Sequence, residues 1–275
     1  MTEGKGFEQV KVEKVADGNY AVISIERPDK LNALAVSTLK ELEEAFATVE
    51  IDKSVRCVVL RGTKEFTKKP AFSAGADLAA FNAPGLDPNN LRHQYYRNAV
   101  RHIAYDIIED FPKPVIAAVD GFALGGGFEL VLVCDIVIAS NRSTFGFPEI
   151  KRGIFPGNGG TQRLIENLGK FRVKNMIYFG DHYTAEQMHE WGIVSYLVDK
   201  DAFDNVVNEK ATLLGSLPTN SLFIIKKCIN FGTQVPLNIG LQFEKFGSAL
   251  NRSSKDVQEG INAFLEKRKP QFTGD

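Results

Sequence analysis

Apolar side chains along roughly the first two hundred residues switch repeatedly between two spacings, and after about Asp201 only one of them persists. Tyr20-Ala21-Val22-Ile23-Ser24-Ile25 alternates as a strand that Pro28 stops, and Leu39 through Phe46 then repeats at helical spacing with Glu41, Glu43 and Glu44 outside. The unit recurs: Val55 to Leu60 reads as a strand, Leu91 to Phe111 as a helix, Val115 to Val119 as a buried strand, Phe128 to Val133 as a helix and Ile136 to Ala139 as a strand. Strand and helix in regular alternation point to an α/β fold with a parallel sheet covered by helices, because parallel neighbours need a crossover between them. Beyond Asp201 the stretches Val206 to Leu217, Ser221 to Phe231, Leu237 to Leu250 and Lys255 to Arg268 all read as helices. The expected division is a core over residues 1–200 and a helical subdomain over 201–275. Lys64 to Pro70 and Asn82 to Asn90 carry the Pro, Asn and Lys of loops, the second placed to border a substrate pocket.

Composition narrows the classes further. With 275 residues, 44% of them hydrophobic and 24% charged, the chain has the make-up of a globular protein with one large core. A net charge of −1, with the 33 Lys and Arg dispersed, argues against general affinity for nucleic acid. Cys57, Cys134 and Cys228 are odd in number, widely spaced and set among apolar residues, which reads as reduced buried thiols. Neither a signal core in Met1 to Glu8 nor a later apolar run of membrane-spanning length occurs, so the expected setting is the cytoplasm, away from membranes. His93, His102, His182 and His189 lack metal-ligand spacing and read as solvated or capping residues, so no metal is expected. There is no Gly-x-Ser-x-Gly elbow, and Ser73 has no evident His partner. The glycine clusters match neither the phosphate-loop pattern nor a full dinucleotide fingerprint.

What chemistry remains is concentrated in two loops and two acids. Phe72-Ser73-Ala74-Gly75-Ala76-Asp77-Leu78 is small enough for its main-chain N–H groups to approach a ligand. Gly125-Gly126-Gly127-Phe128-Glu129 follows a buried strand and opens a short apolar helix, where unpaired N–H donors favour a negative oxygen. Alone, the glycines would read as a device for close helix–strand packing; alongside the Ala76 segment they read as half of an oxyanion hole. Glu129 is the only charge in Phe128 to Val133, so it is expected to be semi-buried and to need a partner. Glu149, in Phe145-Gly146-Phe147-Pro148-Glu149, would by itself pass for a loop acid paired with Lys151 or Arg152. Two converging carboxylates would titrate as a coupled pair, leaving one to act as acid and the other as base.

These segments, followed by Asn158-Gly159-Gly160-Thr161-Gln162-Arg163-Leu164, resemble the crotonase superfamily, and most closely its enoyl-CoA hydratases, over about Tyr20 to Phe272. The resemblance implies a spiral of ββα units and a C-terminal helical region that packs subunits into homotrimers or hexamers. It also implies hydration of a trans-2-enoyl-CoA, with coenzyme A as substrate carrier and no separate catalytic cofactor. Matched position by position, Glu129 and Glu149 are the two acids, Ala76 and Gly126 the oxyanion donors, and Gly157 a glycine whose N–H helps place the water. Lys30, Ala74, Phe264 and Lys267 match positions that touch the coenzyme A nucleotide, the last two on a bound or neighbouring subunit's substrate. One departure is Ala79, where hydratases often carry Lys, and another is the greater length from Ala80 to Tyr105, which ordinarily shapes the acyl pocket. Two other activities stay open on the same scaffold: Δ3,Δ2-enoyl-CoA isomerisation, which needs one working acid, and RNA binding, which the balanced charge disfavours.

Overall fold

The computed structural model describes residues 6–67, 69–79 and 90–274, apart from the side chain at 97. The stretch from Asn82, expected as a loop beside the pocket, lies outside them except for Asn90, whose Oδ1 accepts the His93 N–H at 3.1 Å and caps the following helix.

A six-stranded sheet organises the core. β1 (Val10–Val15) pairs antiparallel with β2 (Tyr20–Ile25), and β3 (Cys57–Gly62), β5 (Val115–Val119), β7 (Ile136–Ser140) and β10 (Tyr196–Val198) follow in parallel order. A second sheet takes β4 (Ala71–Ser73), β6 (Phe122–Leu124) and β8 (Thr144–Gly146) in parallel, closed by antiparallel β9 (His182–Thr184). The connectivity is a repeat: β3 then β4, β5 then β6, β7 then β8, each pair sending one strand to each sheet before a helix returns.

Both faces of the large sheet are buried, which explains why its strands read as continuous apolar runs. Val58, Leu60, Val115, Ala117 and Val119 join one cluster with Leu39, Leu42, Phe46 and Val49 of α1 (Val36–Glu50). Cys57, Val59, Ile116, Ala118 and Ile138 join the other with Phe203, Val207 and Ala211 of α7 (Phe203–Gly215). Thus α7, although it opens the 201–275 segment, covers the core sheet. The next two helices, α8 (Thr219–Gly232) and α9 (Leu237–Asn251), pack on each other, and α9 buries no residue within the chain. A charged tie holds α8 to the core: Lys226 Nζ lies 2.9 Å from Asp135 Oδ2, which also accepts the Val115 N–H at 2.7 Å. α10 (Lys255–Leu265) follows.

The expected helices and long strands are present with ends moved by a few residues. β1 and the short strands β4, β6, β8, β9 and β10 were not anticipated. Neither were α4 (Gly160–Leu168), α5 (Lys170–Phe179) and α6 (Ala185–Glu190). Three-residue strands are too short to display a period, and β1, Val10-Lys11-Val12-Glu13-Lys14-Val15, hides its alternation among charges.

Candidate active site

Three neighbouring parallel strands bring the site together at their carboxyl ends. β4 leads into Ala74–Asp77, β6 into Gly125 and α3 (Gly126–Leu132), and β8 into Phe147–Glu149. Gly125 donates its N–H to Gly146 O at 2.9 Å, locking the β6 and β8 ends together, while Ala76 pairs in a bridge with Leu34. Gly125 has φ 51° and ψ −125°, and a Cβ there would sit 2.6 Å from Glu149 Oε1, so a side chain would meet both backbone strain and the acid. A Cβ on Gly126 would lie 3.7 Å from Ala76 N, which places the two expected donors side by side. Neither the Ala76 nor the Gly126 N–H meets an acceptor among the described residues. Ser73, buried beneath them, accepts the Gly75 N–H at 3.1 Å and so serves the turn.

A cavity of about 340 Å³ opens at this point, lined by Leu31, Ala74, Ala76, Gly125, Glu149 and His182 among others. Lys30 precedes the lining residue Leu31 in the chain and is 57% exposed, with its Nζ 3.3 Å from Asp77 Oδ2; Arg27 reaches the same oxygen at 2.8 Å and holds the Asp77 carboxyl below its ordinary range.

The two acids have opposite surroundings. Glu129 is 1% exposed, yet its carboxylate accepts three hydrogen bonds: Oε1 takes the Asn158 and Gly160 N–H groups, each at 2.8 Å, and Oε2 takes Asn158 Nδ2 at 3.0 Å. Burial pushes its pKa up, and these three donors pull it back. Glu149 Oε2 is buried and meets no hydrogen-bond partner among the described residues. Burial, with a further push from the Glu129 charge, raises its carboxyl to about 7. Both carboxyls are raised by burial, but three donors support the charge of Glu129 while Glu149 is poised to keep its proton near neutrality, the division that acid/base chemistry requires.

Other positions are distributed less compactly. Gly157 is exposed in the loop before Asn158, and its carbonyl accepts His102 Nε2–H at 2.6 Å. Phe264, 83% exposed, borders a separate hollow with Pro218, Ser221 and Phe272 that shares no lining residue with the glutamate cavity. Lys267 follows α10 with φ 56°. Within one chain, neither joins the cavity-lining set. Sequence reasoning read His102 and His182 as solvated or capping residues, offered Arg152 as a surface partner of Glu149 and gave Tyr105 no role in the site. Arg152 and His182 line the cavity; Tyr105, fully buried on α2 (Leu91–Asp110), donates to Gly126 O at 3.1 Å. The helical spacing of His102 and Tyr105, three apart on α2, was the available signal. Among the described residues no His, Cys, Asp and Glu group forms a metal-binding cluster, and no helix is long and apolar enough to cross a membrane.

Comparison with known proteins gives a consistent result. The family model described as enoyl-CoA hydratase/isomerase matches residues 16–275. A short-chain-enoyl-CoA hydratase of Clostridium acetobutylicum is 36% identical, covering 92% of this chain and 94% of its own. A 1,2-epoxyphenylacetyl-CoA isomerase of Escherichia coli is 35% identical over 92% and 94% of the two chains. The crystal structure of an enoyl-CoA hydratase from Bacillus anthracis superposes with a TM-score of 0.88 at 34% identity, over 98% of this chain and all of the other. With its alternating two-sheet core and these relatives, the chain belongs to the enoyl-CoA hydratase/isomerase family and has the crotonase fold.

Proposed function

We propose that this protein hydrates trans-2-enoyl-CoA to 3-hydroxyacyl-CoA, and the contrast between Glu129, which accepts three hydrogen bonds, and Glu149, whose Oε2 meets no partner among the described residues, carries the reading. The thioester oxygen accepts the N–H groups of Ala76 and Gly126, which lie together without acceptors and would stabilise an enolate by roughly 3–4 kcal/mol per donor. Water adds through its oxygen to Cβ while Glu129 takes its proton, and the carboxylic acid of Glu149 delivers a proton to Cα. Gly157 helps place that water. The proton gained by one acid equals the proton lost by the other, and exchange between them restores the starting state. Lys30 and Ala74 would contact the coenzyme A moiety at the cavity mouth. Phe264 and Lys267 would complete the nucleotide site from a bound or neighbouring subunit, within a homotrimer or hexamer. The apolar surface left open on α9, including Leu237, Phe246 and Leu250, supports self-association.

The test is incubation with crotonyl-CoA, following loss of the conjugated thioester absorbance and gain of one water by mass. Wild type should turn over, and Glu129→Gln and Glu149→Gln should each lose orders of magnitude while remaining folded. Wild-type rates in either variant would remove the assignment. Failure to hydrate combined with conversion of a 3-enoyl-CoA to its 2-enoyl isomer would make the protein an isomerase.

A further inference from the structure

The three peptide groups between Gly157 and Gly160 are each held at both ends or along one edge, and the holding comes from outside the loop. A trans peptide is planar, with its C=O and N–H pointing in opposite directions, so an anchor on the oxygen aims the hydrogen. In the first group, the Gly157 carbonyl accepts from His102 on α2 at 2.6 Å, and the opposed Asn158 N–H meets Glu129 Oε1 at 2.8 Å. Because a carbonyl can only accept, His102 carries its proton on Nε2. In the second group, the Asn158 carbonyl accepts from Arg163 Nη1 at 2.9 Å, and Arg163 is itself gripped by Glu109 of α2 through paired bonds of 2.7 Å. Gly159, at φ 106°, leaves the space for that guanidinium: a Cβ there would fall 1.8 Å from Nη1. In the third group, the Gly159 carbonyl accepts from the Gln162 and Arg163 N–H groups of α4, and the Gly160 N–H meets Glu129 Oε1 at 2.8 Å.

We infer that His102 is a positioning residue for Glu129: its Nε2–H pins the Gly157 carbonyl and thereby aims the Asn158 N–H at the carboxylate. The inference rests on the hydratase reading, in which Glu129 takes the proton from water. The carbonyl ends of the second and third peptides are backed by a bidentate ion pair and a helix end, whereas that of the first has one side-chain donor, whose loss leaves the peptide tied only through the N–H bond to Glu129 that it is meant to aim. A misplacement of the base by about 1 Å is enough to lower the rate on the order of 100-fold. The coenzyme A contacts lie on other loops and should be untouched.

The experiment compares His102→Leu, His102→Gln and Glu129→Gln with wild type in crotonyl-CoA hydration, with thermal melts as a check on folding. Gln places an N–H donor near the position of Nε2 but carries no charge. The expected result is a fall in kcat of about 10- to 100-fold for His102→Leu, with KM changed less than about two-fold, and most of the rate recovered in His102→Gln. A wild-type kcat in His102→Leu, or an equal loss in His102→Gln, would overturn the inference while an inactive Glu129→Gln left the hydratase reading standing. Full activity in Glu129→Gln would remove both.

Discussion

Replacing Glu149 by Gln should make the folded protein more stable in a way that depends on pH. In the native state this carboxyl is raised from the usual 4.5 to about 7, mainly because burial disfavours its charge. The folded chain therefore holds more protons than the unfolded chain between those values, and the stability that Glu149 contributes falls as pH climbs through that window. At about 1.4 kcal/mol per pH unit, the span from 4.5 to about 7 amounts to on the order of 3 kcal/mol. Residual solvent access to the half-buried side chain reduces this to about 2 kcal/mol. Gln does not titrate and is close to Glu in shape. The stability difference between Glu149→Gln and wild type should thus grow by about 2 kcal/mol from pH 5 to pH 8, equivalent to roughly 4–8 °C in melting temperature. Urea denaturation of both proteins at the two pH values, at one fixed protein concentration because subunit association would add its own term, reads the difference directly. Taking the variant against wild type cancels other titrating groups such as Asp135, whose carboxyl burial also raises. A difference that is flat across the range would show that ionised Glu149 is not penalised by its site, and the division of roles between the two acids would fall with it.

Further consequences can be measured separately. Gly125→Ala places a Cβ against Glu149 Oε1 at a φ of 51°, and should lower stability by about 1–3 kcal/mol and hydration far more than a matched change at exposed Gly153. Lys226→Met strips the partly buried Asp135 carboxylate of its cation and should destabilise by about 1–3 kcal/mol. Adding Asp135→Asn should recover part of that loss in urea denaturation, whereas no recovery would mean that the pair is not coupled. The crotonyl-CoA comparison of Glu129→Gln with Glu149→Gln, and the His102 series, probe the catalytic arrangement independently of these stability effects.

The sequence exposed the long elements because each buries enough residues to show its period. Val115 to Val119 is apolar throughout since both sheet faces are covered, and α1 repeats Leu39, Leu42, Phe46 and Val49 toward one of them. The three-residue strands escaped notice although they carry the site, because so short a segment has no period and its identity lies in its neighbours. Division near residue 200 followed the loss of strand-like patterning, but the partner of α7 is the sheet, and a helix's periodicity does not say what it packs on.

The same boundary runs through the candidate site. Local sequence marked the small-residue segment around Ala76, the glycines at Gly126 and the lone acid Glu129 in its apolar run, whereas Glu149 read alone as a loop acid and entered the site, with the oxyanion roles, through the family resemblance. That Ala76 and Gly126 lie side by side was decided by the pairing of β4 with β6, and the meeting of Gly125 with Glu149 by the pairing of β6 with β8. The opposite surroundings of the acids were also beyond the sequence. Asn158 and Gly160 come from a loop some thirty residues further on to give Glu129 its three donors, and no group among the described residues comes to Glu149 Oε2. Patterning and the choice of residue types are written along the chain, but desolvation, hydrogen-bond saturation and the aim of a peptide plane are properties of atoms brought together from distant positions, and only the folded chain sets them.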